Sequence, residues 1–168
     1  ELRVLRHLRH PNIALFHGAC MTQDENGMDL KLVFEQVRGK TLKKFVPLLH
    51  GLKEPPLNRE QMSSCMSVMN GITQALVYLH TKTPAIVHAD LKPSNVMVQG
   101  PWRKPDAKLL DFGMSRVVSR HAQVSGGTQG FRAPEVGRSG VKASPAVDIF
   151  SLGRILMFLA GARPGVTM

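Results

Sequence analysis

Three polar clusters interrupt short apolar runs in the second half of this 168-residue chain, and they constrain its fold more than any other feature. Ala85-Ile86-Val87, Val96-Met97-Val98 and Lys108-Leu109-Leu110 each read as a short buried strand. His88-Ala89-Asp90-Leu91-Lys92-Pro93-Ser94-Asn95 follows the first run and Asp111-Phe112-Gly113 follows the third. Ala133-Pro134-Glu135 closes a Gly-, Ser-, Arg- and Gln-rich loop over 112–131. Asp90, Asn95 and Asp111 therefore sit at strand ends, within one hairpin's reach of each other. Hard oxygen donors of this kind suit Mg²⁺, which usually arrives with phosphates. Lys92 adds a point charge for a phosphate or a developing negative oxygen. The chemistry of these side chains points to metal-assisted phosphoryl transfer.

The rest of the chain supplies a frame. Leu2, Leu5 and Leu8 recur at helical spacing until His10-Pro11-Asn12 stops them. Residues 13–20 and 30–37 read as two strands of an antiparallel hairpin around an Asn26-Gly27 turn. A short helix starts from Thr41. Asn58 with Gln61 three residues later forms a capping-box pattern. The stripe Met62, Cys65, Met69, Ile72, Leu76 and Leu79 then predicts a long core helix ending near His80, its methionines filling core gaps. Ser144-Pro145 predicts an N-cap and first-turn proline, and Ile149, Leu152, Leu156 and Leu159 a buried helix ended by Gly161 and Pro164.

Composition narrows the function classes. The length fits one domain with a real core. No apolar stretch is long enough to span a bilayer. Two cysteines, Cys20 and Cys65, exclude a disulfide scaffold and a four-cysteine zinc site, so a reducing, cytoplasmic setting is the default expectation. The formal charge of +10 invites a nucleic-acid reading. That charge is spread as +2, +1, +3 and +4 over 1–20, 21–60, 61–110 and 111–168, with no run of five or six like charges and only 5% aromatics. A stacking platform is poorly supplied, so we expect no nucleic-acid partner.

The order His88-Ala89-Asp90-Leu91-x-x-x-Asn95, Asp111-Phe112-Gly113, Ala133-Pro134-Glu135 resembles the eukaryotic-type protein kinase signature. The resemblance runs from Glu1 to about Gly161. It implies an α+β, two-lobed kinase-like fold, with 1–37 as the remainder of the N-lobe and its hinge strand and 38–168 as the C-lobe. The first N-lobe strands and the last C-lobe helices are expected to lie outside this stretch, which begins without methionine.

Family roles then carry over by position. Asp90 would accept the proton of a substrate hydroxyl, and Asn95 and Asp111 would hold Mg²⁺ on the phosphates of ATP. Lys92 would contact the transferred phosphate, and Thr128 would pair with Asp90 and Lys92, both as in serine/threonine kinases. Glu1, nine residues before His10, matches the helix glutamate that pairs with a strand lysine. Phe34 resembles the gatekeeper, the backbone of Glu35 and Val37 the adenine-bonding hinge, and Met97 the floor under the ring. Leu5, Phe16, His88 and Phe112 match the stack coupling the lobes, and Asp148 its anchor.

The implied partner is a protein bearing a serine or threonine hydroxyl; the regulator is not readable. Leu8-Arg9-His10-Pro11-Asn12-Ile13 and His17-Gly18-Ala19-Cys20 are similar to the tyrosine-kinase-like group. Ala89 stands where the family usually has an arginine, which weakens phosphorylation of the activation loop as an on-switch. Ser115, Ser119 and Ser125 remain candidate sites there. The 168 residues hold no G-x-G-x-x-G segment and no Val-Ala-Ile-Lys strand, so a pseudokinase or scaffolding module is the alternative reading, ahead of a small-molecule phosphotransferase.

Overall fold

The computed structural model describes residues 2–24, 27–51, 57–119, 121–136, 138 and 141–161. The chain begins with a single helical turn, α1 (Leu2–Leu5), followed by the hairpin β1 (Phe16–Asp24) and β2 (Gly27–Phe34). The hairpin is antiparallel, with Met21 opposite Leu30 and a bulge between Phe16 and Gly18. Both strands are displaced from the expected ranges. Strand β1 starts three residues later than position 13, because Asn12 O and Ala14 N, on either side of Ile13, are bonded to Leu109 instead. Strand β2 stops at Phe34, where the chain leaves the hairpin.

Next come β3 (Gly39–Thr41), α2 (Leu42–His50) and the 22-residue α3 (Arg59–His80). Helix α3 starts where its capping box requires: the Asn58 side chain accepts from Gln61 N, and the Gln61 side chain accepts from Asn58 N. Its buried face is Ser64, Cys65, Val68, Gly71, Ile72, Ala75, Leu76 and Leu79. Met62 is 51% exposed, so it lies outside the core stripe expected to contain it. Small residues, among them Ser64, Gly71 and Ala75, complete the stripe, and at Gly71 the helix lies close against its neighbours. A Cβ on Gly71 would sit 3.0 Å from Asn12 Nδ2 and 3.2 Å from Ala107 N.

The second sheet has the order β3-β5-β6, with β5 (Val96–Gln99) central and β6 (Asp106–Leu109) antiparallel to it. A third small sheet pairs β4 (Ile86–Val87) with β7 (Arg116–Val117). Strands β3 and β7 are three and two residues long, too short to carry a hydrophobic period, and neither was legible as a strand.

Helix α4 (Ala146–Leu159) buries Val147, Asp148, Ser151, Ile155 and Leu159. The expected stripe was out of phase: Ile149 is 54% exposed and Leu156 49%. Pro145 occupies the N-cap itself, and Ser144 Oγ accepts from Ala146 N at 3.3 Å from one position further out. The main core joins α1, α2, α3 and the β5–β6 hairpin to Ile155 and Leu159 of α4.

Candidate active site

The site is assembled on the last residues of β6. Leu109 N donates to Asn12 O (2.8 Å) and Leu109 O accepts from Ala14 N (2.9 Å), which ties the β1–β2 layer to this sheet. One residue on, Leu110 N donates to Asn95 O (2.8 Å), extending the Val96–Leu109 register of the hairpin. Asn95 and Asp111 therefore flank the same rung, brought there by pairing alone.

His88 fixes the loop between β4 and β5. It is fully buried, its ring 5.0 Å from that of Phe112. Its Nδ1 accepts from Asp90 N (3.3 Å), so Nε2 carries the hydrogen and donates to Leu110 O (3.0 Å). Ala89 has φ +66°, a left-handed conformation that costs an L-residue about 1–2 kcal/mol. The fully buried Asp148 of α4 holds that turn. Its Oδ2 accepts from His88 N (2.8 Å) and faces His80 Nε2 (2.9 Å), and its Oδ1 accepts from Ala89 N (2.9 Å).

Asp90 is thereby presented with both oxygens engaged. Oδ1 accepts from Thr128 N (3.1 Å) and Thr128 Oγ1 (2.9 Å). Oδ2 accepts from Lys92 Nζ (2.7 Å) and Asn95 Nδ2 (3.3 Å). Lys92 Nζ also donates to Thr128 Oγ1 (2.9 Å), closing a triangle of carboxylate, ammonium and hydroxyl. Asn95 Nδ2 also donates to Asp90 O (3.0 Å), so its carbonyl oxygen points the other way, without a hydrogen-bond partner among the described residues. Asp111 is exposed at φ +58°, with Oδ1 accepting from Gly113 N (3.1 Å). Two hard oxygens with spare capacity are what a divalent cation shared with phosphates requires. Among the described residues no three His, Cys, Asp or Glu side chains converge, so the donors do not offer an all-protein cage.

The family model for the protein kinase domain matches residues 1–166. This chain belongs to the protein kinase family. Among curated relatives, it is 36% identical to the serine/threonine-protein kinase CTR1 of Arabidopsis thaliana, over 95% of this chain and 18% of that protein. It is 31% identical to the lectin-domain containing receptor kinase VI.3 of the same plant, over 98% of this chain and 23% of the relative. It is 32% identical to the RasGEF domain-containing serine/threonine-protein kinase X of Dictyostelium discoideum, over 100% of this chain and 16% of the relative. The chain thus spans about a fifth of the length of these relatives.

In this chain, the expected residues divide into those the structure groups and those it does not. Asp90, Lys92, Asn95 and Thr128 form one hydrogen-bonded set, with Asp111 one pairing step away. Phe34, Glu35 and Asp111 line a cavity of about 350 Å³ with Ala14 and Leu110. Met97 lies on a different cavity of about 560 Å³, beside Gly39, Thr41 and Leu48. Val37 lines neither, and its backbone N–H and C=O make no hydrogen bond among the described residues. Glu35 N already donates to Leu15 O (2.8 Å), which leaves only its carbonyl for a base edge. Glu1 lies outside the described residues. Ser115 is buried, with Oγ donating to His88 O (3.3 Å), whereas Ser119 and Ser125 are exposed.

The Glu35 side chain was missed. Its Oε1 accepts from Lys108 Nζ (2.6 Å) and Leu15 N (2.9 Å). Burial pushes the carboxyl up, but the Lys108 hydrogen bond and charge and the Leu15 N–H hold it below the usual range. A lysine within an apolar strand was the available signal, since such a charge needs a partner. Ala14 and Leu110 gave no signal in sequence.

Proposed function

We propose that this chain is the central part of an active serine/threonine protein kinase of the tyrosine-kinase-like group, transferring the γ-phosphate of ATP to a protein hydroxyl. The observation that carries the reading is the Asp90–Lys92–Thr128 triangle beside Asn95 and Asp111. Residues 1–37 belong to one lobe and 38–168 to the other. The sequence motifs at 8–13 and 17–20 support the group, and the Lys92-Pro93 pair and Thr128 support the hydroxyl class. We place the domain in the cytoplasm or the intracellular part of a larger protein; no helix among the described residues is long and apolar enough to cross a membrane.

In this mechanism the Asp90 carboxylate accepts the substrate hydroxyl proton as the oxygen bonds to the γ-phosphorus and the bond to the β-phosphate oxygen breaks. Thr128 and Lys92 fix the carboxylate's orientation, and Lys92 offers its charge to the transferred group. Asn95 Oδ1 and Asp111 would hold Mg²⁺, which would supply charge neutralisation on the phosphates. Phe34 would close the back of the nucleotide cavity, and the carbonyl of Glu35 would accept from the base edge. The test is phosphate transfer from labelled ATP to a generic serine/threonine substrate by the intact protein, with Asp90→Asn alongside. Loss of transfer on the order of 10²–10⁴-fold is expected. Equal transfer by Asp90→Asn would overturn the assignment.

A further inference from the structure

A further concavity adjoins the Met97 cavity, sharing Gly39, Lys40 and Leu48 with it, and is separate from the cavity lined by Phe34, Glu35 and Asp111. It measures about 330 Å³ and is walled by Arg38, Lys40, Phe45, Leu48, Gln99 and Trp102. Three elements build it. Strand β3 lies so close to β5 that a Cβ on Gly39 would overlap the Val98 carbonyl, and this approach sets the floor. Helix α2 supplies Phe45 from its buried face and Leu48, 55% exposed, from its rim. The turn between β5 and β6 carries Trp102, the single tryptophan of the chain, tilted against Phe45 at 5.5 Å and still 41% exposed. An indole left this open at the edge of a groove is surface that a folded chain gains by covering.

Charge identifies what covers it. Arg38, Lys40, Lys43, Lys44 and Lys104 are exposed on or beside these three elements, and none makes an ion pair among the described residues. Among the described residues no carboxylate lines the groove. Arg103, on the same turn, is already paired with Glu60 at 3.1 Å. A cationic rim around an apolar floor fits a chain that alternates acidic residues with one large apolar side chain. The volume accommodates one such anchor. The shape is a recess between a helix and a strand edge, which favours a peptide over a lipid surface, where protruding apolar side chains would be expected.

We propose that this groove docks an acidic segment of a protein partner, with one leucine-sized side chain seated between Leu48, Phe45 and Trp102. The site is independent of the catalytic assignment, so its test does not depend on turnover. The experiment titrates a fluorescein-labelled twelve-residue probe, eleven Asp and Glu around one leucine, with the intact protein and reads anisotropy. Binding that weakens at least tenfold in Arg38→Glu/Lys40→Glu, and at least fivefold in Trp102→Ala or when the probe leucine is serine, supports the proposal. Loss in both the charge and the apolar variants is required. Circular dichroism melts confirm that each variant is folded, and Lys40→Ala serves where the charge reversal is not. Binding indifferent to these changes overturns the proposal. So does capture of the protein by phosphatidylserine vesicles that the probe does not compete, because the basic rim would then serve a membrane.

Discussion

Removing the Asp148 carboxylate tests whether the catalytic loop is held from below. Asp148 accepts two backbone N–H bonds, from His88 and Ala89, and faces His80, all at 2.8–2.9 Å and with no exposure. Asp148→Asn keeps the shape but turns an NH₂ towards one of these donors. Leaving one buried donor unpaired costs about 1–3 kcal/mol. At about 2–4 °C per kcal/mol for a chain of this size, the melting temperature falls by roughly 2–12 °C. The kinetic effect comes from Ala89. Its left-handed turn costs about 1–2 kcal/mol, and the two Asp148 bonds are what offset it. If that offset is lost, the loop conformation that presents Asp90 becomes roughly 5–30-fold less populated. We therefore expect kcat to fall by that factor with KM for ATP nearly unchanged, because the hinge is built from other residues. Adding Ala89→Gly should recover part of kcat, since glycine adopts this φ without strain, but not the melting temperature. The assays are thermal melts and phosphate transfer by the intact protein. Full kcat in a destabilised Asp148→Asn would show that the loop holds itself, and an unchanged melting temperature would refute the buried-donor argument.

Thr128→Val removes one acceptor for Lys92 and one donor to Asp90, so kcat should fall about tenfold or more for any protein substrate while folding stability changes by about 1 kcal/mol; a variant with normal turnover contradicts the orienting role. Lys108→Met bears on acid stability. Glu35 sits below its ordinary value, near 4.3, so its contribution is full above that pH and lost as pH falls through the lower folded value. Without the Lys108 hydrogen bond and charge the lowering weakens while burial still raises the carboxyl, so the variant should lose less stability than the parent between pH 5 and pH 3 in urea melts; parallel curves would sink this. Gly39→Ala forces β3 off Val98 and should cost about 1–3 kcal/mol by denaturant titration, whereas a neutral result would mean that β3 moves freely.

Sequence resolved what is local and what is motif-bound. The capping box at Asn58 and Gln61 gave the start of α3 because both partners lie within one turn. Asp90, Asn95 and Asp111 were recognisable because polar groups stand out at the ends of apolar runs. Phase within a helix was less legible. In α4, leucine and isoleucine appear on several faces, and the buried face is the one carrying Asp148 and Ser151, whose polar groups bond to neighbouring segments. A pattern that counts only apolar residues assigns such a face to solvent. Strands of two or three residues, such as β3 and β7, exist because a partner strand offers hydrogen bonds, and nothing in Gly39–Thr41 announces that partner.

The long-range design converges on three consecutive residues. Lys108 reaches Glu35, Leu109 bonds Asn12 and Ala14 while pairing with Val96, and Leu110 bonds Asn95 through its N–H and His88 through its carbonyl. The hinge, the first sheet, the catalytic loop and the metal-side asparagine are thus all registered against one strand end. Their partners lie up to 97 residues away in sequence, from Asn12 to Leu109. Because a strand alternates faces, a one-residue slip of β6 would exchange Lys108 and Leu109 and misplace Asp111 at the same time. The position of Asp111 is therefore set by the core, through Leu109 and Ala107, both fully buried, rather than by contacts of its own. That is why an exposed carboxylate with one local hydrogen bond can still hold a fixed position, as the metal role proposed for it requires. It also follows that core substitutions at Leu109 should disturb metal affinity and loop geometry together, whereas substitutions at Gly113 should disturb only the first.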